Sequence, residues 1–303
     1  MTTSLSLEEL YSRYALETDL KPATTKHYHS LIRLALREFV DLGADPNDIE
    51  TITRDHVLRW RLVIQARASP RTWNNYSDHF RVLWKFGVDH DLVDTNPWQK
   101  TRLKIDKKRK KTLSLELLGR ALFATQSGHL EPGWFWSSVI RTLYYTGIRR
   151  RQLIGLRGAD YDADNHLLTL RSDHSKTRQE RIIPLVRGAH AAIEDLLRGY
   201  RAEGVELGPN DQLFNVTRVY TRYSGASMSE YQVSGFFRRL SDELGESISA
   251  HRLRHTFGTE LAERVDIKTV QVLMGHADIR STLGYVHPNL ERQRSALDQL
   301  PTL

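Results

Sequence analysis

The segment His251-Arg-Leu-Arg-His-Thr-Phe-Gly258 sets imidazoles and a guanidinium where they can act on one anion. On a helix, His251, Arg254 and His255 lie three and four residues apart and share a face. A guanidinium grips two phosphate oxygens at once, and an imidazole gives or takes a proton near neutral pH. Two other uses of the same residues stay open at this point: an ordinary basic helix facing DNA, or a metal pair at His251 and His255. The pair lacks the Glu of a His-Glu-x-x-His site. A second segment, Leu273-Met-Gly-His276, is followed nine residues later by Tyr285, itself after Gly284. Gly275 reads as a helix end that brings His276 close to a ligand. Tyr285 reads either as a nucleophile on a short adjustable element or as one of twelve ordinary tyrosines. In a third segment, Tyr145-Thr-Gly147-Ile-Arg149-Arg-Arg-Gln152, one helix ends and another begins, and Arg149 with free amides at that junction favours an oxyanion.

The elements that must hold these residues follow from periodicity and capping signals. Residues 1–98 read as a helical bundle. Leu7, Leu10, Tyr11, Tyr14 and Ala15 mark its first helix, and Pro22 opens a second with Tyr28, Leu31, Ala35, Phe39 and Val40 on one face. Thr53 caps a third, and Ser69-Pro70 starts a fourth that runs toward Asn96-Pro97, its Trp73, Phe80, Leu83 and Trp84 forming core. Residues 113–303 read as a mixed domain with helices near 114–126, 132–146, 149–156, 188–203, 230–244, 250–263, 267–274 and 288–299. Alternation in 165–171 and 179–185 predicts two strands of a β-hairpin with Lys176 near its tip.

Between the two domains, residues 99–112 form a basic linker. Eight basic residues and one Asp lie in 100–111, a net of +7 that equals the formal charge of the whole chain. Such a block does not pack, and Lys107, Lys108, Arg109, Lys110 and Lys111 are suited to a polyanion strap or to a solvated connection. The chain contains no cysteine, which excludes disulfides, thiolate nucleophiles and cysteine-bound zinc. No run approaches the length of a membrane span, and the first residues lack the pattern of a signal peptide, so a cytoplasmic location is expected.

Taken in order, Thr-Gly-Ile-Arg149, Lys176 eight residues before Pro184, His251-Arg-Leu-Arg254, and Gly-His276 with Tyr285 resemble the motifs of the tyrosine recombinase, or phage integrase, family. The match is strong over about 145–290. The resemblance implies a mainly α fold: a SAM-like helical core-binding domain, then a mixed α/β catalytic domain of the DNA breaking-rejoining type with a small antiparallel sheet. It implies that Tyr285 attacks a DNA phosphodiester to give a 3′-phosphotyrosyl link, with no metal, ATP or other cofactor. Arg149 and Arg254 would neutralise the non-bridging oxygens, Lys176 would protonate the 5′-oxygen, His251 would be the general base, and His276 would hydrogen-bond the phosphate. The implied partners are a double-stranded recombination site and three further copies of the chain, joined through the helix at 288–299 into a tetramer on two duplexes. No extra arm-binding domain is evident ahead of the bundle, so a simple recombination site is expected if the chain acts on DNA.

Two features depart from the family pattern or compete within it. Gln152 stands where an acidic residue is common, and Arg178 and Arg181 rival Lys176 on the hairpin. Gln152 keeps open a DNA-binding protein that has lost catalysis. A type IB topoisomerase-like activity shares the same chemistry. A metal hydrolase using His251, His255, His276 and His287 is a third class, and no Asp or Glu falls at ligand spacing to support it.

Overall fold

The computed structural model describes residues 4–105, 112–172 and 180–286, together with 294, 297 and 298. The chain divides into two compact units, Met1–Lys108 and Arg109–Leu303. The expected basic strap at 107–111, Lys176 and most of the expected helix at 288–299 lie outside the described residues. Among the described residues no helix is long and apolar enough to cross a membrane.

The first unit contains α1 (Leu7–Glu17), α2 (Pro22–Asp41), α3 (Arg54–Gln65) and α4 (Pro70–Asp89). Their starts are built from local chemistry. Ser6, Thr53 and Ser69 accept hydrogen bonds from the amides of Glu9, His56 and Thr72, while Pro22 and Pro70 occupy first turns where no amide is needed. The core is aromatic: Phe39, Trp60, Trp73, Phe80, Trp84 and Trp98 are all fully buried. Val40, expected on the apolar face of α2, is instead exposed. α4 ends at Asp89, before Asn96-Pro97, and the chain then folds back on this unit as far as Leu103. Trp73 Nε1 donates to Thr101 O at 2.8 Å, and the Leu103 amide donates to Asn74 Oδ1 at 2.7 Å. The start of the segment read as linker is therefore part of this core.

The second unit is mainly helical with one small sheet. Its elements are α5 (Leu115–Ala124), α6 (Gly133–Thr146), α7 (Arg150–Gly155), β1 (Tyr161–Asp162), β2 (Leu167–Leu170), β3 (Arg181–Pro184), α8 (Arg187–Ala202), α9 (Glu230–Leu244), α10 (Ala250–Ala262), α11 (Ile267–Met274) and α12 (Arg280–Leu283). The sheet is antiparallel in the order β1-β2-β3, with Leu168 opposite Ile183. Alternation reveals β2 and β3, but β1 is two residues long and too short to carry a period. Helix α6 is the hub. It buries Phe135, Trp136, Val139, Ile140 and Leu143, and it packs against α8 and α10. Trp136 stacks on Phe236 of α9 at 4.1 Å between centroids. The end of α6, the start of α7, and helices α10 to α12 are thereby held around one cavity.

Candidate active site

Five sequence-predicted residues line one cavity of about 770 Å³: Arg149, His251, Arg254, His276 and Tyr285. Each arrives on a different local device. Arg149 caps α7, and its backbone amide donates to Gln152 Oε1 at 2.9 Å. Gln152 is buried, so its carbonyl supplies the acceptor that a carboxylate would supply at that position. Arg254 lies on the buried face of α10, only 4% exposed. Its guanidinium donates to Gly147 O, to Met274 O at 2.6 Å and to His276 Nε2 at 3.1 Å. His251, one turn earlier on the same helix, is exposed at the cavity wall.

His276 follows Gly275, which ends α11 with φ +59°, a left-handed conformation that glycine adopts without strain. Arg254 can only donate, so Nε2 of His276 is the acceptor and Nδ1 carries the proton that meets Thr282 Oγ1 at 3.0 Å. Burial, then Arg254, Arg149 and Arg181, lower the His276 pKa to about 4, so the ring is neutral at pH 7. With this tautomer the proton that His276 could offer a phosphate is on Nδ1, at Thr282. Nε2 of His276 is a third acceptor for the Arg254 guanidinium.

Tyr285 follows α12, and its amide donates to Thr282 O at 2.9 Å. Its ring is 8% exposed and lies between two imidazoles, stacked on His276 at 5.7 Å and tilted against His255 at 5.0 Å. The close approach to α10 requires Gly258, where a Cβ would lie 2.8 Å from Tyr285 Cδ1. Burial and Arg149 lower the pKa of Arg254, and the nearby Tyr285 phenol opposes that shift. Burial lowers the pKa of Arg149 and Tyr285 opposes it. The mouth of the cavity adds Arg150, Arg151 and Arg238, with Arg150 paired to Glu230 at 2.8 Å. The surplus of positive charge suits a polyanion that must reach a buried phenol.

Lys176 is the sixth predicted residue and lies outside the described residues, as do Lys107, Lys108, Arg109, Lys110 and Lys111. Among the described residues no three His, Cys, Asp or Glu side chains gather as metal ligands. Of the four imidazoles weighed for that role, His255 packs on Tyr285 and His276 bonds Arg254 and Thr282, while His287 lies outside the described residues. Three residues at the site had no assigned place in the sequence reading. Thr282 meets Nδ1 of His276, Gly258 makes room for Tyr285, and Arg181, noted only as a rival for Lys176, reaches the end of α11. The one signal for Arg181 was its position at the end of the hairpin.

Comparison with known proteins gives a consistent result. A model described as the phage integrase family matches residues 135–292. A Pseudomonas aeruginosa protein assigned as tyrosine recombinase XerC is 31% identical over 307 residues, covering 96% of this chain and 70% of the relative. A Pseudomonas syringae protein with the same assignment is 32% identical over 310 residues, and the chain spans 64% of its length. Among solved structures, the Tn1549 transposon integrase in complex with transposon right end DNA has a TM-score of 0.79 at 21% identity, with 98% of this chain and 99% of that chain covered. A lambda integrase tetramer bound to a Holliday junction has a TM-score of 0.72 at 19% identity, covering 94% of this chain and 78% of that one. At these identities the structural likeness is one of fold.

Proposed function

Because the chain belongs to the phage integrase family of tyrosine recombinases, we propose that it breaks and rejoins DNA at specific sites with Tyr285 as the nucleophile. The phenolic oxygen attacks phosphorus, the bond from phosphorus to the 5′-oxygen breaks, and a 3′-phosphotyrosyl ester forms. His251 takes the phenol proton and Lys176 gives a proton to the departing 5′-oxygen. Arg149 and Arg254 hold the non-bridging oxygens, where charge builds in the transition state. One phosphate ester replaces another, so the intermediate keeps the energy needed for rejoining and no ATP is consumed. The guanidiniums supply the charge neutralisation for which other phosphoryl-transfer sites use a metal ion. The observation that carries this reading is the buried Tyr285 ring in the same cavity as Arg149 and Arg254.

The basic residues 107–111 serve as a strap over DNA phosphates, giving affinity that falls steeply with salt and little sequence information. The helix expected at 288–299 joins copies of the chain into a tetramer on two duplexes, a reading supported by the lambda integrase tetramer among the structural neighbours. The work takes place in the cytoplasm, on the nucleoid. Loss of catalysis rested on Gln152 alone, and its carbonyl already meets the Arg149 amide, which favours an active enzyme.

The test uses purified protein and duplexes from DNA flanking its gene, each nicked so that cleavage is trapped. An adduct on a denaturing gel that survives EDTA and disappears in Tyr285→Phe, with DNA binding retained, is the expected result. Tight specific binding without any adduct from the wild type would overturn the catalytic reading.

A further inference from the structure

Three guanidiniums converge on the last turn of α11. Arg181 Nη1 donates to Val272 O at 2.5 Å, Arg254 Nη2 to Met274 O at 2.6 Å and Arg149 Nη2 to Gly275 O at 3.3 Å. They come from β3, α10 and the junction of α6 with α7, and they meet the partially negative end of the helix, where cations are favoured. Arg149 and Arg254 are the two that a phosphate would engage. Arg181 has no such assignment.

The contact of Arg181 is closer than that of a surface side chain resting on a helix. Its guanidinium lies against the bare Cα of Gly275, where a Cβ would sit 2.4 Å from Nη1 and 2.7 Å from Cζ. Its Nη2 is buried with no hydrogen-bond partner among the described residues. An orphaned buried donor of this kind is costly, and a freely moving arginine would escape that cost by turning to water. Burial, and then repulsion from Arg149, lower its affinity for a proton, which places it in the same field as the phosphate-binding pair. The residue after Gly275 is His276, and the chain from there leads through α12 to Tyr285.

We propose, on the basis of the function argued above, that Arg181 is a positioning residue of the cleavage reaction: by clamping Val272 and Gly275 at the end of α11, it sets His276 and Tyr285 against Arg149 and Arg254. It holds the segment through backbone atoms that remain available when the other two arginines turn to DNA. It transfers no proton.

The first test needs no DNA. In Arg181→Gln, hydrogen exchange at the Gly275 and His276 amides, which close the last turn of α11, is expected to rise about tenfold or more, while amides of α5 and α6 stay unchanged. Unchanged exchange at those two amides overturns the proposal, whatever the enzyme does with DNA. The second test is the trapped-cleavage assay. Arg181→Gln is expected to slow adduct formation about 10–100-fold with DNA affinity within twofold of wild type, and Arg181→Lys to recover part of the rate. A substrate with sulfur at the 5′-bridging position needs no proton on its leaving group. Restoration of the Arg181→Gln rate by that substrate would mean proton donation and would overturn the positioning role, as would a wild-type rate on the normal substrate. If the wild type forms no adduct on any duplex, the reading of Tyr285 fails, and the exchange measurement alone decides the clamp.

Discussion

Replacing Gly258 by alanine puts a methyl group where the Tyr285 ring now lies. The added Cβ would stand 2.8 Å from Cδ1 and 2.9 Å from Cε1 of that ring, and 3.0 Å from Met274 Cε. Carbon atoms rest no closer than about 3.5 Å, so the ring must retreat by about 0.7 Å, the difference between 3.5 and 2.8 Å. The methionine end is flexible and gives way easily, whereas the tyrosine is held between His255 and His276. Alanine is the better helix former by about 0.5–1 kcal/mol, which offsets part of the crowding, so the melting temperature should stay within a few degrees of wild type. Attack on phosphorus is far less tolerant. Displacements near 1 Å can cost about a hundredfold in rate, and adduct formation by Gly258→Ala should fall about 10–100-fold. The assay is single-turnover cleavage of a nicked duplex, with DNA affinity and thermal melting measured on the same preparation. A wild-type cleavage rate would refute the argument that Gly258 sets the nucleophile's position. A joint collapse of binding and melting would refute it too, because the effect would then be on folding.

Two further outcomes follow from the site. Gln152→Ala removes the acceptor of the Arg149 amide and should cost about 1–3 kcal/mol in urea unfolding, whereas Gln152→Glu keeps an acceptor and should stay within about 1 kcal/mol of wild type. The His276 pKa is lowered to about 4 in the folded protein from 6.5, so the unfolded chain binds the proton that the native site refuses. Stability should therefore fall as pH drops from 6.5 towards 4 and show no contribution from this group above 7; melting curves of wild type and His276→Asn at pH 7.5, 6 and 5 should diverge in slope, and parallel slopes would refute it.

The helices of this protein are legible because their signals are local. Ser69-Pro70 caps and opens α4 within two residues, and the 3.6-residue spacing of Trp73, Phe80 and Trp84 marks its buried face. Where α4 stops is less legible, since Asp89 is followed by no proline until Pro97 and the return of the chain to Asn74 is a contact across 29 residues. The site divides in the same way. Arg149, His251, Arg254, His276 and Tyr285 stand out by type and spacing. The bond from Arg181 to Val272 spans 91 residues, and nothing near either one announces it. Thr282 looks like any helix threonine until His276 is seen beside it. The partner of His276 is equally invisible in the sequence: Arg254, which meets its Nε2, lies 22 residues away.

The carbonyls at the end of α11 also bear on which anions the arginines select. Clustered guanidiniums with nothing to hold would collect sulfate, nucleotides and other small anions from solution. Here Arg149 and Arg254 are already occupied, by Gly275 O and Met274 O. These neutral oxygens are weak occupants: a hydrogen bond between a cation and a fully charged phosphate is roughly twice as strong as one to an uncharged acceptor. A duplex that brings many contacts at once can displace them, and a stray monoanion gains little by doing so. A phosphate that engages Arg149 and Arg254 must therefore compete with two backbone carbonyls that already fix where the guanidiniums point.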